Sequence, residues 1–222
     1  MQLSRSVVRC EKLVSHSHKF LFIAVPKAAR TSLLAVLRAE ELGAEDVSRV
    51  PIGDVLTSTA YDGYYKFAFI RNPWGRVFSA WLSKVAKARS ESALAFLAQH
   101  EGLYAGMPFP DFVSWLMGPA AADEAADRHW VSQHKFVCDA HLDVRVDFLG
   151  RYETLQSDFD EVCDAIGIHR IKLPLLNARN RHGIEYREEE NMLYHRSFYD
   201  ERTARLVGER YATDIDLFGF SS

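Results

Sequence analysis

The chain of 222 residues is poor in cysteine: Cys10, Cys138 and Cys163 are the only three, and no two of them form a CxxC pair. That spacing supplies neither a disulfide framework nor a structural zinc site, so reduced, partly buried thiols are expected. Long apolar runs are missing too. None exceeds six residues, so a run such as Phe20 to Val25 is far short of a membrane span, and the first ten residues lack the apolar stretch of a secretion signal. These absences lead to the expectation of a soluble, cytoplasmic protein with no transmembrane segment. A catalytic fragment separated from a membrane anchor would look the same. Neither sign of charge is in large excess: 27 basic against 30 acidic residues give a formal net charge of −3. That balance argues against nucleic acid as a partner and still allows a local basic pocket for a small anion. No internal repeat and no low-complexity tract occurs.

The composition that is present is ordinary for a globular protein, 48% hydrophobic and 26% charged, and a single domain spanning residues 1–222 is the expectation. Phe20 to Val25 is apolar throughout and reads as a central strand covered on both faces. Pro26 stops it. Thr31 or Ser32 is placed to cap a following helix that runs to about Leu42, with Gly43 as its stop. Phe67 to Ile70 reads as a second buried strand. Asn72-Pro73 breaks it and opens a helix with Val77, Phe78, Trp81, Leu82 and Val85 inward and Arg76, Lys84 and Lys87 on other faces. Further on, a helix over 109–117, a small-residue surface loop over 118–126, a strand over 144–149, a helix over 154–166 closed by Gly167, and a helix over 200–211 complete the pattern. Strands alternating with helices give an α/β class with a mostly parallel central sheet flanked by helices, a P-loop-like three-layer sandwich.

Two strand-to-helix junctions carry chemistry. The first is Pro26-Lys27-Ala28-Ala29-Arg30-Thr31-Ser32. It is not the glycine-rich Walker loop. It does offer a lysine, small residues that admit backbone approach, and two hydroxyls at a helix start, which together suit a phosphate. The second is Arg71-Asn72-Pro73-Trp74-Gly75-Arg76-Val77-Phe78-Ser79, where Arg71 ends a strand and Ser79 lies in the second turn of the next helix. A guanidinium fork and a hydroxyl can clamp one phosphate between them. Each junction alone also reads as a plain helix start with solvent-facing basic residues.

Taken in order, the pair resembles the 5′- and 3′-phosphate motifs of sulfotransferases that use PAPS (3′-phosphoadenosine 5′-phosphosulfate). The similarity is to the carbohydrate branch, the group with HNK-1, chondroitin 4-O- and heparan 2-O-type enzymes. Three later segments resemble that branch as well: Asp127-Arg128-His129-Trp130-Val131-Ser132-Gln133, the run from Asp147 to Leu155, and the ending from Arg210 to Gly219. The family often carries a second cysteine where this chain has His141, near Cys138. The resemblance implies sulfuryl transfer from PAPS to a hydroxyl on a carbohydrate or another hydroxylated acceptor, with PAP as product and no metal in the scheme.

The same resemblance implies roles. Lys27 steadies the charge developing on the bridging oxygen, and Pro26, Ala28, Ala29, Arg30, Thr31 and Ser32 line the 5′ end of the donor. Arg71 and Ser79 hold the 3′-phosphate. Arg30 stands where many relatives have a small or polar residue, and binding to sulfate, binding to acceptor, or pointing to solvent are all open for it. His129 is the first candidate for the base that takes the acceptor's proton, with His134 and Glu153 behind it. Arg181, with Arg179, is placed to contact the donor or an anionic acceptor, or to be ordinary surface charge. His16 and His18 form an HxH pair without a third ligand in view. A small-molecule kinase and a non-catalytic nucleotide-binding protein are the competing readings; the missing Walker glycines weigh against the first. The residues leave acceptor identity and oligomeric state open.

Overall fold

A computed structural model describes residues 9–174 and 194–221. Their contacts divide them into two compact units, one of residues 9–71 and 133–174, the other of residues 72–132 and 194–221.

The first unit is built on a five-stranded sheet. Its central strand β2 (Phe20–Ala24) is buried along its whole length, as the continuous apolar run demands. β1 (Glu11–Ser15) pairs antiparallel with β2 across a hairpin, and β3 (Ala44–Asp46) adds antiparallel to β1. On the other side β4 (Tyr65–Ile70) runs parallel to β2, and β5 (Phe148–Arg151) parallel to β4, giving the order β3-β1-β2-β4-β5. Two of the four pairings are antiparallel, so the sheet is mixed and the expectation of a mostly parallel one is corrected. The reason lies in β1. Its sequence Glu-Lys-Leu-Val-Ser puts a lysine and a serine at buried positions and so does not read as a strand. Both are accommodated by carbonyls: Lys12 Nζ donates to the Cys10 and Ser48 oxygens at 3.0 and 3.3 Å, and Ser15 Oγ to that of Leu42 at 2.6 Å.

Helices flank this sheet. α1 (Arg30–Leu37) follows β2 and ends five residues before the expected stop; residues 40–42 form a separate 3₁₀ turn before Gly43, which has φ +54°. α2 (Ile52–Thr57) sets Val55 against Val14, Leu21 and Tyr64. α6 (His134–Val137) is a single turn. α7 (Leu155–Ala165) lies along the expected 154–166 helix and closes at Gly167, φ +70°. The expected 144–149 strand is shorter and later, at Phe148–Arg151, because Val144 forms only an isolated bridge with Cys138. One glycine in β5 is required by space. A Cβ on Gly150 would fall 2.4 Å from the Phe69 ring of β4.

The second unit is helical. α3 (Pro73–Trp81) opens as its sequence dictates, with Asn72 Oδ1 accepting from the Trp74 amide at 3.0 Å and proline in the first turn. A π turn over Leu82–Ala86 continues it. α4 (Glu91–Leu97), α5 (Phe109–Leu116) and two helices at Glu201–Arg210 and Ala212–Phe218 complete the unit around Trp74, Val77, Phe78, Phe112, Trp130 and Tyr211. One expectation is overturned here. Arg76 does not face outward; it is 2% exposed. The 118–126 stretch is also less open than expected, since Ala121 is fully buried.

Candidate active site

The Val25–Ser32 junction leaves the carboxyl end of β2, the edge at which open α/β sheets bind ligands. Two of its residues without glycine's freedom take left-handed backbone conformations, Lys27 at φ +73° and Ala29 at φ +56°. Such angles disfavour any residue with a Cβ and persist only where surroundings impose them. Left-handed positions alternating with ordinary ones turn successive amides toward one side, the geometry of an anion-binding concavity. Ala29, not Thr31 or Ser32, is the residue before the helix, and no side chain caps α1, which corrects the expected hydroxyl cap. Thr31 is exposed, Ser32 and Ala28 are buried, and Lys27 is half-buried. Arg30 pairs with Glu11 of β1, a partner the sequence did not suggest. Glu11 also pairs with Arg38 at 3.1 Å.

Arg71 leaves the carboxyl end of β4, the parallel neighbour of β2, so the Lys27 loop and Arg71 rise from the same edge of adjacent strands. Its backbone is gripped from both sides by one fully buried side chain. Gln133 Oε1 accepts from the Arg71 amide at 2.9 Å, and Gln133 Nε2 donates to the Arg71 carbonyl at 2.8 Å. The guanidinium lies over the Tyr152 ring, 4.0 Å from its centre, just past the end of β5. A cation on an aromatic face is attracted by the ring and held in orientation while its N–H groups stay available to an anion.

Ser79 and His129 belong to the helical unit. Ser79 is half-buried in the second turn of α3. His129 follows a tight turn in which Asp127 Oδ1 accepts from the His129 amide at 2.9 Å and also bonds His129 Nδ1. Burial pushes the Asp127 carboxyl up, but the His129 hydrogen bonds and charge, with a further contribution from His100, hold it below the ordinary value. A carboxylate on Nδ1 fixes the imidazole's orientation and favours a proton there, the arrangement that prepares Nε2 to accept one. The ring also meets Phe96 edge-on, centres 5.9 Å apart. His100 packs on Phe96 and Trp130, and burial lowers its pKa against the opposing pull of Asp127.

The structure therefore brings Lys27, its loop and Arg71 to one sheet edge, and places Ser79 and His129 in the helical unit. Arg181, with Arg179, lies outside the described residues. His134 is buried at the start of α6 and Glu153 is in the turn after β5. His16 and His18 diverge: His16 Nδ1 meets the Tyr64 hydroxyl at 2.6 Å and His18 Nδ1 the Ile166 carbonyl at 3.2 Å. No disulfide joins the three cysteines. Three contributors were missed from sequence: Gln133, Tyr152 and Asp127. Asp127 had a local signal, an aspartate two residues before the residue whose amide it caps. The other two act across 62 and 81 residues of chain, and no local pattern marks them.

A model of the sulfotransferase family matches residues 11–221, through both units. The chain belongs to the sulfotransferase family. Human carbohydrate sulfotransferase 14 is 25% identical over 233 residues, covering 94% of this chain and 59% of its own length. Mouse carbohydrate sulfotransferase 11 is 24% identical over 242 residues, 94% and 66%, and human carbohydrate sulfotransferase 9 is 27% identical over 240 residues, 94% and 53%. The chain thus spans between about half and two thirds of the length of these relatives. No solved structure matches it. Among the described residues, no helix is long and apolar enough to cross a membrane.

Proposed function

We propose that the chain transfers a sulfuryl group from PAPS to a hydroxyl of a carbohydrate. The observation that carries this reading is the shared carboxyl edge of β2 and β4, which presents the strained Lys27 loop beside an Arg71 locked at its backbone. In this reading the edge is P-loop-like. The 26–32 amides and hydroxyls hold the 5′ phosphosulfate, and Lys27 neutralises the bridging oxygen as the sulfur–oxygen bond breaks. Arg71 and Ser79 take the 3′-phosphate, the group that separates PAPS from ATP. His129, oriented by Asp127, takes the proton from the acceptor hydroxyl as its oxygen bonds sulfur, and PAP leaves. Arg181 remains a candidate donor contact. The scheme needs no metal.

The carbohydrate acceptor rests on the names of the relatives, each a carbohydrate sulfotransferase. The reading extends to a cytoplasmic, reducing location, supported by His141 standing where the family often has cysteine; fractionation of cells expressing the tagged protein checks it. The deciding experiment is ligand-linked melting. PAP is expected to raise the melting temperature well above the shift given by ATP or ADP, because ligand that binds only the folded state stabilises it. Equal shifts from PAP and ATP would refute the donor assignment. Transfer of radiolabelled sulfate from PAPS to a panel of desulfated polysaccharides and simple glycosides then identifies the acceptor.

A further inference from the structure

Arg76 is a charged side chain buried to 2% exposure, a placement that destabilises a protein unless the guanidinium is well satisfied. Its Nη1 donates to the Val131 carbonyl at 2.7 Å and its Nη2 to the Arg128 carbonyl at 3.3 Å. Between these two carbonyls lies His129. The next carbonyl, that of Trp130, accepts from the Tyr211 hydroxyl at 2.6 Å. Tyr211 is itself buried, and burial, against the pull of Arg76 and Arg210, pushes its hydroxyl up to about 12, so it stays a donor through the working pH range. The turn is closed at its far end by Asp123, which accepts from the Ser132 amide at 3.0 Å and is held by Arg210 at 2.7 Å. Trp130 and Val131 amides both return to the Asp127 carbonyl at 3.0 Å. Residues distant in sequence thus converge on the short turn that carries His129.

We propose that Arg76, with Tyr211 as its second holder, is a positioning residue for sulfuryl transfer: by fixing the Arg128, Trp130 and Val131 carbonyls it sets the His129 imidazole on its acceptor. The proposal rests on the reading of His129 as the base. It adds that α3 does two jobs, since the helix that carries Ser79 also carries the residue that holds the base's turn. Other ionisable groups around the imidazole are Asp127 on its own turn, His100 across the Phe96 and Trp130 rings, and Lys84, whose ammonium lies 5.1 Å from the Phe96 ring.

The test compares Tyr211→Phe, Arg76→Lys, Arg76→Met and His129→Ala in the purified protein. It reads kcat and KM for PAPS with an acceptor from the glycan panel, PAP affinity by calorimetry, and the ¹⁵N resonances of the His129 ring. Tyr211→Phe removes one oxygen and keeps the ring; it is expected to lower kcat by about tenfold, with KM for PAPS and PAP affinity unchanged. Arg76→Met is expected to lose about a hundredfold in kcat, the scale of a misplaced catalytic group, and Arg76→Lys to recover part of it. The His129 ring resonances move in all three. If Arg76→Met does not fold, Tyr211→Phe and Arg76→Lys decide. Wild-type kcat and an unmoved His129 spectrum in those two, alongside an inactive His129→Ala, overturn the positioning role and leave the base in place. Undiminished turnover in His129→Ala overturns the base assignment itself, and the positioning role with it.

Discussion

Replacing Gln133 by methionine isolates the grip on Arg71. Methionine keeps the length and much of the volume of glutamine and removes both polar atoms. The Arg71 amide then loses its acceptor at 2.9 Å and the Arg71 carbonyl its donor at 2.8 Å. A buried polar group left without a partner costs about 1–3 kcal/mol. Gln133 is fully buried while Arg71 is only half-buried, which puts each loss near the low end, about 2 kcal/mol for the pair. In a chain of this size each kcal/mol moves the melting temperature by about 2–4 °C, so a drop of about 4–8 °C is expected. Binding should fall as well, because the guanidinium over Tyr152 is anchored only as well as its own backbone. A tenfold loss of PAP affinity, about 1.4 kcal/mol, is the expected scale. Thermal melting with and without PAP, and calorimetry, measure both quantities. A Gln133→Met protein with the wild-type melting temperature and wild-type PAP affinity would show that the double hydrogen bond neither stabilises the strand end nor presents Arg71.

Three further outcomes follow from the same geometry. Lys27→Ala is expected to abolish sulfuryl transfer while PAP still binds, whereas Arg71→Ala chiefly weakens PAP binding; a Lys27→Ala protein with full turnover contradicts the role given to the lysine. Gly150→Ala forces a methyl into the Phe69 ring and should destabilise the sheet unit by about 1–3 kcal/mol in urea denaturation, with partial rescue by Phe69→Leu; an unaffected unfolding midpoint refutes the close approach. Burial raises the Asp123 carboxyl, but Arg210 and the Ser132 hydrogen bonds outweigh it and hold it below 3.8. A carboxyl depressed by folding stabilises the protein above the unfolded value and loses that contribution as pH falls through the folded one. Stability of the wild type should therefore drop between pH 5 and 3 by more than that of Asp123→Asn; equal drops in the two proteins refute the assignment.

The elements that could be read from residues alone are those whose signals are local. β2 is six apolar residues long in sequence and five in structure, since nothing but a covered strand suits such a run. Asn72 and Pro73 announced α3, because a cap is a contact between residues two or three apart. The two junctions that resemble the 5′ and 3′ motifs were legible as strand–loop–helix units for a related reason: each is a strand end, a loop and a helix start in continuous sequence. β1 was not visible, because its buried Lys12 and Ser15 are satisfied by carbonyls more than 25 residues away or on its own flank. Arg76 was misplaced on the same ground. Helical spacing puts a charge toward water by default, and the partners that make its burial tolerable, the Arg128 and Val131 carbonyls among them, lie over 50 residues on.

The amino-acid order by itself determined the family, the two strand-to-helix junctions proposed to bind the donor and the candidate base, since each is carried by side chains within one short segment. The tertiary structure decided how those groups are held. It made the sheet mixed, set the Lys27 loop and Arg71 on neighbouring strand ends, paired Arg30 with Glu11, and locked Arg71 with Gln133 and the His129 turn with Arg76 and Tyr211. Hydrogen bonds that close long loops depend on where distant carbonyls come to rest, and that is fixed only once the strands and helices have packed.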